Sequence, residues 1–72
     1  MKHDELLTLG HKIRLERMKR NISQEEFAEL AGLSRRSISC IECGVSDPRY
    51  TTLLQIARTF NMNMAELFSF KL

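Results

Sequence analysis

Ser23-Gln24-Glu25-Glu26-Phe27-Ala28-Glu29-Leu30-Ala31-Gly32-Leu33-Ser34-Arg35-Arg36-Ser37-Ile38-Ser39-Cys40-Ile41-Glu42-Cys43-Gly44 is the stretch whose reading decides the fold of this chain. Ser23 followed three residues later by Glu26 makes a capping box: the serine oxygen takes an orphan N–H at a helix start and the carboxylate reaches back. A helix is therefore expected from Gln24. Phe27, Ala28, Leu30 and Ala31 recur at helical spacing, and Gly32 tolerates the left-handed conformation at a helix end. Leu33 can plug the core, Ser34 is a second cap, and Ile38 and Ile41 carry the apolar face of another helix that Gly44 closes. Two short helices joined by about three residues form a helix-turn-helix, whose second helix can enter the major groove of duplex DNA.

Outward from this stretch the chain reads as helix throughout. Residues 5–19 place Leu6, Leu9, Ile13 and Arg17 on one helical face, with Asn21 as punctuation. The segment 44–49 carries the only proline, Pro48, beside the turn formers Ser46 and Asp47. A fourth helix over 50–60 buries Leu53, Ile56, Ala57 and Phe60; Asn61-Met62-Asn63 breaks it, and residues 64–70 form a short fifth. The expected class is an all-α bundle of five helices with short connections.

Seventy-two residues make one domain, expected to fill positions 1–72. A chain this small leans on close helix packing or on a partner subunit. No apolar run is long enough to span a bilayer and the Met1-Lys2-His3-Asp4-Glu5 start has no secretory pattern, so a cytoplasmic protein without a membrane partner is expected. The net charge of +2 is a weak signal for nucleic acid. Its distribution says more: Lys12, Arg14, Arg17, Lys19 and Arg20 cluster early, and Arg35, Arg36 and Arg49 surround the second helix of the motif.

The residues Gly10-x-x-Ile13-Arg14-x-x-Arg17, Ile22-Ser23-Gln24-Glu25-Glu26-Phe27-Ala28, Ala31-Gly32-Leu33-Ser34, Ile38-Ser39-x-Ile41-Glu42-x-Gly44, Pro48 and Leu53-x-x-Ile56-Ala57 together are specific. Over positions 9–68 the chain resembles the Cro and phage-repressor (XRE-like) family of helix-turn-helix domains, and is similar to short phage repressors and restriction-modification controller proteins. The resemblance implies a compact five-helix lambda-repressor-like domain acting as a sequence-specific transcriptional regulator on double-stranded DNA.

It also implies roles for particular residues. Arg35, Arg36, Ser39 and Cys40 occupy the outward positions of the third helix and are the expected base readers. An arginine fits O6 and N7 of guanine with a bidentate donor pair worth roughly 1–3 kcal/mol of discrimination. At least one of Arg35 and Arg36 is expected to read a base; the alternative for the other is a grip on phosphate. Cys40, with a small, weakly polar thiol, suits a thymine methyl. Gln24, at a helix start, faces a phosphate in the resembling repressors; the alternative is an ordinary exposed first-turn residue. Ser34 and Ser37 are phosphate neighbours, Ser34 doubling as a cap. Arg49 belongs to backbone or minor groove, or is a solvated loop charge. Arg17 and Glu42 match a family pair that ties helices one and three together.

Cys40 and Cys43 are spaced like half a zinc site, but zinc wants about four ligands and only His3 and His11 remain, without ligand-like spacing. No metal and no cofactor are expected, and the thiols are read as plain reduced cysteines, with a redox-sensing third helix as the sharper alternative. No serine has a plausible base, no carboxylate pair has a pocket and no glycine-rich phosphate loop is present, so no enzyme is expected. Tyr50, Leu54, Phe70 and Leu72 supply apolar surface for a homodimer, which would demand a pseudo-palindromic operator; the rival is a tail packed on its own core. Glu25, Glu26 and Glu29 offer RNA polymerase an acidic contact or form a solvated face. The reading from another class is a protein-interaction module such as an antitoxin-like partner. With nearly all of the chain used by the motif and its supports, no second domain for an inducer is expected.

Overall fold

Helix caps set the frame of the computed structural model, which describes residues 2–70. The Ser23 hydroxyl accepts from the Glu26 N–H at 3.0 Å while the Glu26 carboxylate accepts from the Ser23 N–H at 3.1 Å. Asn63 and Glu66 repeat that reciprocal box, and the Ser34 hydroxyl takes the Ser37 N–H at 3.0 Å. These caps start three of five helices: α1 (His3–Lys19), α2 (Gln24–Ala31), α3 (Arg35–Glu42), α4 (Tyr50–Thr59) and α5 (Met64–Leu67). No strand lies among the described residues.

The first four helices end alike. Asn21, Gly32, Gly44 and Asn61 each adopt a left-handed backbone, and the apolar residue that follows sends its N–H back five positions. Ile22 reaches the Arg17 carbonyl, Leu33 that of Ala28 at 2.9 Å, Val45 that of Cys40 at 3.1 Å and Met62 that of Ala57 at 2.8 Å. This closure satisfies carbonyls that a helix end leaves orphaned. Ile22, Leu33 and Met62 then tuck partly into the core, whereas Val45 stays exposed.

The core draws Leu9 and Ile13 from α1, Phe27, Ala28 and Ala31 from α2, Ile38 and Ile41 from α3, and Leu53, Ile56 and Ala57 from α4, closed by Phe60 and Leu67. Phe27 and Phe60 stack with ring centroids 4.7 Å apart, joining α2 to the end of α4. α3 is held against both α2 and α1, α2 against α4, and α4 against α5. Gly10 permits the α1–α3 crossing: a Cβ there would overlap the Ile41 and Glu42 carbonyl groups. Burying apolar area at about 25 cal/mol per Å² is the main stabilising force in so small a body.

Three details differ from the sequence reading. Leu30, expected on the core face of α2, is 66% exposed, because Phe27, Ala28 and Ala31 already fill that helix's narrow contact with α3 and α4. The last helix ends at Leu67, with Phe68 as its cap, and does not continue to residue 70. Helix one begins two residues earlier than expected, with Asp4 and Glu5 in the first turn complementing the helix dipole.

Candidate nucleic-acid interface

Ile38 and Ile41 anchor α3 in the core, which turns its other side to solvent. Arg35 and Arg36, in the first turn, are both exposed. The nearest carboxylate to Arg35 is Glu25, 3.9 Å away with both side chains largely in water, a pair of negligible strength. Arg36 makes no ion pair among the described residues. Ser39 and Cys40 are half-buried. Ser34 and Ser37 are tied together, the hydroxyls 2.9 Å apart, so the cap also orders the helix start. Leu33, Arg36, Ser37 and Cys40 line a shallow groove whose far wall is Pro48 and Thr52. Arg49 is the cap residue of α4, exposed and making no side-chain cap bond.

Behind this face lies a partly buried polar triad built on the buried Glu42. Arg17 donates from Nε to Glu42 Oε2 at 2.7 Å and from Nη2 to Oε1 at 3.0 Å, a bidentate fork. Its Nη1 donates to the Ile22 carbonyl at 2.9 Å. The hydrogen bonds to Glu42 hold the Arg17 guanidinium above its ordinary pKa, against the opposing pull of burial. The structure adds a third member: Gln24 Nε2 donates to Glu42 Oε1 at 3.1 Å. Gln24 is half-buried. Helices α1, α2 and α3 therefore meet at one carboxylate.

A second cluster was missed by the sequence reading. Glu16 is buried, yet Arg20 Nη1 donates to its Oε1 at 2.9 Å while Lys12 and Lys19 approach its Oε2 at 3.2 Å each. Arg20 further donates from Nη2 to the Phe60 carbonyl at 2.8 Å and lies over the Phe60 ring, 4.6 Å from its centroid. The Arg20 hydrogen bond, aided by both lysines and opposed by burial, pulls the Glu16 carboxyl down to about 2. The signal was present in the spacing, since basic residues stand four before and three and four after Glu16.

The remaining sequence-predicted positions are scattered more widely. On α4, Tyr50 is exposed and Leu54 half-buried. Phe70 is partly buried against the core with its ring 5.9 Å from that of Phe68, so this part of the tail packs on its own chain. Leu72 lies outside the described residues. Cys40 and Cys43 are free thiols, and no group of three or more metal-ligating side chains occurs among the described residues. No helix there is long and apolar enough to cross a membrane.

A capped helix pair presenting two free arginines, braced from behind by a third helix, defines a helix-turn-helix domain. Residues 13–67 match the helix-turn-helix family model, and the chain belongs to that family. It is 33% identical over 66 residues to the helix-turn-helix-type transcriptional regulator PuuR of Escherichia coli, covering 92% of this chain but only 36% of that protein. An uncharacterised helix-turn-helix-type transcriptional regulator of Methanocaldococcus jannaschii is 31% identical over 63 residues, with 88% of this chain and 96% of that one covered. Among solved structures, the restriction-modification controller protein C.AhdI from Aeromonas hydrophila superposes with a TM-score of 0.86 at 28% identity, covering 89% of this chain and 97% of that chain.

Proposed function

We propose that this regulator binds a pseudo-palindromic operator as a homodimer and reads its sequence with the outward side of α3. The observation that carries this reading is the pair Arg35 and Arg36, exposed at the start of a rigidly seated helix and free of strong intramolecular partners. Their guanidinium forks supply the bidentate donors that guanine accepts, Ser39 adds a hydroxyl, and Cys40 a contact suited to a thymine methyl. Gln24, Ser34, Ser37 and Arg49 hold the phosphate backbone on either side, which fixes register without reading sequence. Tyr50 and Leu54 on α4, with the part of Phe70 that its own chain leaves uncovered and with Leu72, form the dimer contact. Two copies related by a two-fold axis would set their α3 helices about 34 Å apart, one turn of duplex.

Once the operator is known, Arg35→Ala and Arg36→Ala are titrated against it and against random-sequence duplex. A loss concentrated on the operator, about fivefold or more for at least one of the two, supports base reading. Equal losses on both DNAs for both variants overturn it. Sedimentation at high micromolar concentration checks the assembly: a dimer is expected, and a monomer removes Tyr50, Leu54 and Phe70 from the account.

A further inference from the structure

Gln24 and Glu42 were expected to have separate tasks, one at the DNA backbone and one within the fold. The structure joins them. Glu42 Oε1 accepts from Arg17 Nη2 and from Gln24 Nε2, at 3.0 and 3.1 Å, while Oε2 is held by Arg17 Nε. A carboxylate only accepts, whereas a glutamine amide has a donor side and an acceptor side. Only the NH2 side of Gln24 can meet Glu42. That contact uses one N–H of the amide, and the second has no partner among the described residues.

We propose that Glu42 is a positioning residue for DNA binding: clamped by Arg17, it selects the orientation of the Gln24 amide that keeps a donor available to a phosphate oxygen. An unguided amide can equally present its carbonyl oxygen, which a phosphate repels. The proposal rests on Gln24 being a phosphate anchor, as proposed above.

Glu42→Gln is the discriminating variant. It keeps the shape of residue 42, but its amide offers Arg17 one oxygen in place of two, and when its NH2 turns to Gln24 the donor side is no longer selected. Removal of a negative charge from a DNA-binding protein should by itself tighten binding. The proposal requires the opposite sign. Wild type, Glu42→Gln, Gln24→Ala and the double variant are titrated on operator and random duplex at a temperature where circular dichroism shows all four folded. Glu42→Gln should weaken both DNAs about fivefold, the worth of roughly one hydrogen bond. The salt slope should stay constant, since a neutral side chain releases no counterion. In the Gln24→Ala background the same substitution should cost nothing. Equal losses in both backgrounds, or tighter binding by Glu42→Gln alone, overturn the proposal. Wild-type affinity in Gln24→Ala overturns the phosphate anchor itself and the proposal with it, whereas failure of the wild type to bind any duplex overturns the wider function. A second measurement needs no change at residue 42. In 15N-labelled wild type, one of the two Gln24 side-chain amide protons should shift on adding DNA while the other keeps its free-state position; equal shifts, or none, contradict the selection.

Discussion

Two charged clusters leave α1 from adjacent residues, and they hold different parts of the molecule. Successive side chains on a helix diverge by about 100°, so Glu16 and Arg17 address different neighbours. Arg17 turns to α3 and locks Glu42, which in turn holds Gln24 at the start of α2. Glu16 collects Lys12, Lys19 and Arg20, and through Arg20 fastens the end of α1 to Phe60 at the end of α4. The chemistry is the same, a buried carboxylate with basic partners. What differs is the load: one cluster seats α3, the other only closes the bundle. Damage to the first should therefore reach both stability and DNA, and damage to the second stability alone.

The largest effect is expected from Glu42→Ala, which leaves Arg17 buried without its counter-charge. Removing one partner of such a pair costs about 3–5 kcal/mol. Chemical denaturation followed by circular dichroism should show a much lower midpoint, and an unchanged midpoint would strike the pair from the account of the fold. Next comes Arg20→Met, which loses the hydrogen bonds to Glu16 and Phe60 and the ring contact, about 3 kcal/mol together. Its DNA affinity, measured well below the unfolding midpoint and at a salt concentration that screens a distant charge, should stay within about twofold of wild type. A clear loss of affinity would erase the distinction between the two clusters.

Glu16→Gln sharpens the same contrast through pH. The folded pKa of Glu16 is about 2 against an ordinary 4.5, so its stabilisation is complete above pH 4.5 and lost as pH falls toward 2. Wild type should lose stability across that window, and Glu16→Gln should lose less of it while being about 1 kcal/mol weaker at neutral pH. Identical acid profiles would contradict the assignment. The smallest effect is that of Arg49→Ala, with stability unchanged and the slope of log affinity against log salt reduced by about 1, the signature of one lost phosphate contact. An unchanged slope would return Arg49 to the solvated loop.

The sequence disclosed those features whose causes are local. Ser23 with Glu26 and Ser34 announce their helix starts, and Asn21, Gly32 and Asn61 take the left-handed positions that end helices. Ile38 and Ile41 face inward as their spacing implies, leaving Arg35 and Arg36 outside. Features fixed by distant partners were harder to see. Glu16 amid three basic residues looks like any solvated helix face, and the link that ties its cluster to the end of α4, Arg20 with Phe60, joins residues forty apart. The Gln24 contact with Glu42 depends on how closely α2 and α3 approach, a matter of packing and not of pattern. Leu30 misled because apolar spacing does not reveal how wide a stripe the neighbours can cover. Phe70 has company in Phe68, which a short exposed terminus gave no reason to expect.

The central claim is that α3, held by the cluster of Arg17, Glu42 and Gln24, reads duplex DNA. Selection of bound duplexes from a random pool tests it most directly, since one enriched motif reports binding, symmetry and spacing together. The account predicts two inverted half-sites centred about one helical turn apart, with guanine preferences that fade when Arg35 or Arg36 becomes alanine. A pool that shows no enrichment with the wild-type protein would contradict it, and would favour a helical surface that serves a protein partner instead.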